Sequence, residues 1–206
     1  MAKIPEIKLH HIMERIINSE YNSIDQLIEI SGTYSTEEIH DILEQIIVDW
    51  NLNKLKPVSV YALFKFFYKY LEESKINITY KNRRTIPICY FSSFLITSAL
   101  FLYSYLKTLS IEVKLYSLHP SDKHLKQYLQ KENPALIIFT LSQFVHLEAL
   151  KKLLPYLHKR NLEVYLGGIP FLYDENLKKK FSNCKFPSDM KALSLSITKL
   201  IKEKKL

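Results

Sequence analysis

The chain has 206 residues, 47% hydrophobic and 24% charged, with a formal net charge of +8. These are the proportions of a globular protein of one or two domains. Three glycines and eight prolines exclude a collagen-like chain or a long flexible linker.

The first 75 residues read as helices. "PEIKLHHIMERIINS" places Ile7, Ile12, Ile16 and Ile17 near helical spacing. "SIDQLIEIS" follows and stops at Gly32. In "STEEIHDILEQIIVDWNLN", Ser35 and Glu38 fit a capping box. Ile39, Leu43, Ile46, Ile47 and Trp50 then share one apolar face. Pro57 suits the first turn of the next helix, "PVSVYALFKFFYKYLEES". Four helices with short connections predict an antiparallel bundle over 1–75. The polar, basic stretch "NITYKNRR" predicts a linker over 76–85.

From 86 to 206 strands and helices alternate. Strands are expected over 86–91, 111–116, 135–140, 162–166 and 184–186. Helices are expected over 94–109, 122–131, 144–159, 174–180 and 189–201. This order predicts a doubly wound, five-stranded parallel sheet, with ligands beyond the carboxyl ends of its strands. "IPICYFSSFLITSALFLYSYL" runs from Ile86 to Leu106 without a charge and is long enough to cross a bilayer. Ser92 and Ser93 divide it as a strand-to-helix turn, with Ser93 as the helix cap, and no second such run follows. It therefore reads as a buried strand and its covering helix, and no membrane is expected.

The charge is uneven. Residues 1–80 carry 8 Lys and Arg against 12 Asp and Glu, and residues 81–206 carry 21 against 9, net +12. The lysines scatter over predicted helix surfaces, as on a solvated exterior, with contact to an acidic partner as the alternative. The N-terminus shows no signal-peptide core, so a cytoplasmic location is expected. Cys89 and Cys184 are far apart, in no metal-ligand spacing, and read as buried thiols. No P-loop, G-x-G-x-x-G, H-E-x-x-H or G-x-S-x-G is present. His10 and His11 face different ways, and His40, His124 and His158 read as exposed. His119 and His146 fall near the ligand edge and are candidate metal ligands. Asp122, Asp174 and Asp189 read as helix caps. No nucleophile has a base and an orienting partner, so no catalytic residue is expected.

The order of elements resembles the cobalamin-binding domain family, a small helical bundle followed by a flavodoxin-like sheet. "NPALIIFTLSQFVHLEALKKLLPYLHKRNLEVYLGGIPF" is similar to that family's third strand through its Gly-Gly turn. "VDWNLNKLKPVSVYALFKFF" is similar to the bundle segment that begins with Trp. The resemblance implies that Trp50 covers a corrin face and that Gly167 and Gly168 admit the ligand's nucleotide tail. The family's D-x-H-x-x-G, whose His ligates cobalt, becomes Ser93, Leu95 and Ser98 here. The Glu-His that follows the family's Trp becomes Val60 and Tyr61. Leucine offers no lone pair to a metal.

The implied site therefore comprises Trp50, Val60, Tyr61, Phe64, Ser92, Ser93, Leu95, Ser98, His119, Thr140, Ser142, His146, Gly167, Gly168 and Phe171. The expected function is a non-catalytic sensor or regulatory module. It would bind a corrinoid, haem or another tetrapyrrole without the lower histidine. It would act on transcription through a protein partner such as a DNA-binding regulator, without reading nucleic acid itself. A second copy of the chain is a further candidate partner. The alternatives are an adaptor that binds no ligand and a corrinoid carrier for a methyltransferase.

Overall fold

A computed structural model describes residues 6–18, 34–73, 76–82, 84–91, 96–118 and 123–203. The chain divides into two compact units. One holds Met1–Thr79 with Ser104–Ser110, and the other Tyr80–Tyr103 with Ile111–Leu206.

The first unit contains α1 (Glu6–Asn18), α2 (Thr36–Asn51), α3 (Pro57–Glu73) and the last turns of α4 (Thr97–Thr108). The helix expected over 23–31 lies outside the described residues. At the start of α2, Glu38 N–H donates to the Ser35 hydroxyl (3.1 Å) and Ser35 N–H to the Glu38 carboxylate (2.9 Å). This satisfies donors that a helix start leaves unpaired. Ile39, Ile42, Leu43 and Ile46 are fully buried on one face of α2. In α3, Val60, Leu63, Phe64, Phe66, Phe67 and Tyr70 are buried, and each large apolar side chain contributes about 1.5–3 kcal/mol by leaving water. Tyr34 N–H donates to the Tyr70 hydroxyl (2.8 Å), and the rings of Phe66 and Phe67 meet edge to face at 4.8 Å. His40 is held rather than exposed. Its Nδ1 lies 2.9 Å from the Thr108 hydroxyl, and its ring lies 4.7 Å from that of Tyr105.

The second unit continues with β1 (Ile86–Tyr90), β2 (Val113–Ser117), α5 (Lys123–Glu132), β3 (Leu136–Leu141) and α6 (His146–Lys159). Then come β4 (Glu163–Gly168), α7 (Ile169–Tyr173), α8 (Glu175–Lys180) and α9 (Met190–Lys202). The strands are parallel in the order β2-β1-β3-β4. The five-stranded expectation is corrected: the described sheet has four strands, and the predicted fifth makes one parallel bridge, Lys185 to Tyr165. Lys185 exchanges backbone hydrogen bonds with Val164 and Leu166. Pro187, which has no N–H, follows two residues later. Phe186 packs its ring 5.1 Å from Phe171.

The uncharged run from Ile86 becomes β1 and α4, with 92–95 outside the described residues. Ile86, Ile88 and Cys89 are fully buried, as a central parallel strand requires. Leu102 through Lys107 of α4 are buried in succession, so this helix has no water-facing stripe there. Lys107 is accommodated by Glu72 at 3.0 Å. No helix among the described residues is long and apolar enough to cross a membrane. Asn82, in the stretch read as a linker, is buried and clips the chain before β2. Its amide donates to Glu112 O (3.0 Å) and Arg84 O (2.8 Å), and its carbonyl accepts from Glu112 N–H (2.7 Å).

One face of the sheet packs Cys89, Phe91, Phe139, Leu141, Val164 and Leu166 against Leu129, Leu150, Leu157 and Phe181. Four helices end in a left-handed residue that is not glycine: Asn53, Ser110, Asn133 and Asn161. Asp174 and Asp189 cap α8 and α9, accepting from Asn176 N–H (2.9 Å) and Ala192 N–H (2.7 Å). Asp122 lies outside the described residues.

Candidate functional site

The chain leaves β1 toward β2 and then returns to β3 on the other side of β1. Loops diverge at such a reversal, and the crevice forms at the carboxyl ends of the two strands. The register sets a lateral row there: Ser117 beside Tyr90, Tyr90 beside Thr140, Thr140 beside Gly167. Residues paired this way point to the same face. Among the described residues, none of the three hydroxyls has a hydrogen-bond partner. Tyr90 and Thr140 are half-buried, and a Cβ added at Gly167 would meet nothing within 4 Å. The row thus offers donors, acceptors and space. A cavity of about 320 Å³ opens along β2 and includes Ser117 and His124.

Gly168 differs from Gly167. Its φ is +109°, and a Cβ there would stand 2.7 Å from the Leu141 amide nitrogen and closer still to the Leu141 carbonyl oxygen. Only a residue without a Cβ fits this backbone. Gly168 thereby ends β4 and starts α7, whose first turn carries Pro170.

His146 opens α6 with its ring stacked on Phe91 at 5.3 Å and 17°. Its Nδ1 is buried without a partner among the described residues, and burial holds the imidazole below its usual pKa. Around the same edge Phe144, Val145, Ile169, Leu172 and Tyr173 are exposed. No cluster of three or more metal-binding side chains occurs among the described residues. Both cysteines are free and buried, and burial raises both thiols, Cys184 to about 11.

No family model matches the sequence, and no curated protein matches it by sequence. Solved structures do match the fold. A cobalamin-binding protein from Desulfitobacterium hafniense aligns at a TM-score of 0.53 and 10% identity, over 94% of this chain and 98% of its own. The methanol:cobalamin methyltransferase complex of Methanosarcina barkeri aligns at 0.55 and 13%, over 97% of this chain and 81% of the other. A monomethylamine corrinoid protein from Methanosarcina barkeri aligns at 0.50 and 8%, over 93% and 95%. The chain has the cobalamin-binding-domain fold.

On this cobalamin-binding-domain fold the residues named from sequence divide between the units. Thr140, Ser142, His146, Gly167 and Gly168 gather at the carboxyl ends of β3 and β4. Ser98 is exposed in the first turn of α4. Phe171 is 3% exposed and packs on Phe181 and Phe186, so it serves the core. Val60 and Phe64 are likewise sealed in the helical unit, and Tyr61 is half-buried beneath Lys65. Trp50 is 38% exposed at the end of α2, off the core face. Asp49 is buried in its stead, 3.0 Å from Gln45 and 3.3 Å from Lys54. Ser92, Ser93, Leu95 and His119 lie outside the described residues. Sequence reasoning did not name Tyr90 or Phe91. Their signal was their place at the end of a predicted strand.

Proposed function

We propose that this chain is a corrinoid-binding module that works with a protein partner. The observation that carries the reading is the row Ser117, Tyr90, Thr140 and Gly167. It places unpaired hydroxyls and open space where an α/β sheet receives its ligand. These groups suit the hydrogen-bonding tail of a corrinoid nucleotide, and Ser142 adds another hydroxyl at the end of β3. The matched structures support a corrinoid over haem, since all three are named for cobalamin or corrinoid. Exposed Phe144, Val145, Ile169, Leu172 and Tyr173 at the same edge support a protein partner.

A bound corrinoid supplies cobalt chemistry, and one of the matches is named as a methanol:cobalamin methyltransferase complex, whose chemistry is methyl transfer. The first reading of this module is therefore a carrier subunit for a methyltransferase. A second reading, a corrinoid sensor acting on its partner, is favoured by one feature. The family's cobalt-ligating position carries Leu95, which removes a ligand that tunes the metal during turnover.

The test is retention of a chromophore. Purified protein is incubated with hydroxocobalamin, methylcobalamin or haemin, then desalted. The expected result is a corrinoid spectrum that stays with the protein and a raised unfolding temperature. Colourless protein from both corrinoid arms overturns the reading, and retention of haemin alone replaces it. Transfer of a methyl group from the methylcobalamin-loaded protein to an acceptor separates carrier from sensor.

A further inference from the structure

The opposite edge of the sheet holds a second arrangement, built at the amino ends of β1, β3 and β4. Arg84 lies two residues before β1, Arg160 follows α6, and Asn133 follows α5. Arg84 Nη1 donates to the Asn133 carbonyl (3.2 Å). Arg160 Nη2 donates to the Asn133 side-chain oxygen (3.2 Å) and to Leu129 O (2.9 Å). Two guanidiniums therefore converge on one residue. Among the described residues neither has a carboxylate within ion-pair distance. Among the described residues the Arg160 Nε is buried without an acceptor.

A cavity of about 340 Å³ opens here, lined by Arg84, Asn133, Arg160, Asn161 and Glu163 among others. Glu163 would repel an anion, but Lys185 neutralises it at 2.6 Å. Glu132, next to Asn133, is paired with Lys131 at 3.7 Å. Like charges without a counter-charge repel, and a buried N–H without an acceptor is costly. An oxyanion in the cavity supplies the missing counter-charge to the two guanidiniums. The planar fork of Arg suits phosphate oxygens better than a halide.

We propose that this amino-edge cavity is a phosphate-binding site, with Arg84 and Arg160 as its donors. The cavity is larger than a bare phosphate fills, so a phosphomonoester of a small molecule fits the same donors. The site shares no residue with the hydroxyl row, and the proposal stands whatever the corrinoid experiment returns. It also gives the +12 half of the chain a localised role.

The experiment is calorimetric titration with inorganic phosphate and, separately, with glycerol 3-phosphate, at constant ionic strength. Three proteins are compared: the unaltered chain, Arg84→Gln and Lys179→Gln. Arg84 is exposed, so its replacement preserves the fold, and the exposed Lys179 controls for loss of one charge elsewhere. The expected result is saturable binding, weakened at least about tenfold by Arg84→Gln and unchanged by Lys179→Gln. Tighter glycerol 3-phosphate binding assigns the site to a monoester, and equal or weaker binding assigns it to the free ion. No saturable binding, Arg84→Gln binding like the unaltered chain, or an equal loss in Lys179→Gln overturns the proposal.

Discussion

Gly168 and Leu141 are paired across β4 and β3 so closely that no Cβ fits between them. A Cβ at Gly168 would come within 2.7 Å of the Leu141 amide nitrogen, and φ there is +109°. Gly168→Ala is expected to cost roughly 2–4 kcal/mol, combining a strained backbone with displaced neighbours. Urea unfolding measures it. A loss under about 0.5 kcal/mol, the range of neutral surface changes, contradicts this account.

Gly167 is the contrasting case. A Cβ here would meet nothing within 4 Å, so Gly167→Ala is expected to leave stability unchanged or raise it by up to about 1 kcal/mol. The added methyl enters the row beside Thr140, so the same variant is expected to weaken corrinoid retention. A variant that is as stable as its parent and binds as well would remove Gly167 from the site.

His146 makes stability depend on pH. Burial lowers its folded pKa, so the unfolded chain takes up the proton more readily. Its contribution is therefore complete above the ordinary histidine pKa of about 6.5 and is lost as pH falls below that value. Comparing urea midpoints at pH 7.5 and 5.5, the parent is expected to lose more than His146→Gln. Equal losses would show that the imidazole titrates alike in both states.

Tyr70 supplies a hydroxyl to the Tyr34 backbone N–H within an aromatic cluster. Tyr70→Phe keeps the ring and removes that acceptor, leaving a buried donor unpaired. A cost of about 1–3 kcal/mol is expected in the unfolding free energy. A neutral result would mean that water reaches the freed N–H.

Local signals in this sequence were legible, and lateral ones were not. Ser35 with Glu38, and the Asp174 and Asp189 caps, act within one helical turn, so their neighbours in sequence suffice to read them. Alternation of strand and helix marked β1 to β4, and with them Thr140 and Gly167. Trp50 continued the helical stripe of Ile39 and Leu43, but periodicity does not say where a covering surface stops. The segment over 184–186 read as a strand because a short apolar pattern carries no information on how long a partner stays alongside. Tyr90 escaped for a related reason. Parallel strands far apart in the chain acquire their register only on packing, and that register makes the hydroxyl row.

The helix stops have a wider consequence. Asn53, Asn133, Asn161 and Ser110 hold left-handed positions that elsewhere fall most often to glycine. A short polar side chain carries the left-handed turn at those four stops. At Gly168 the unusual φ coincides with the Leu141 backbone, so the end of β4 is a turn that no side chain can take over from glycine.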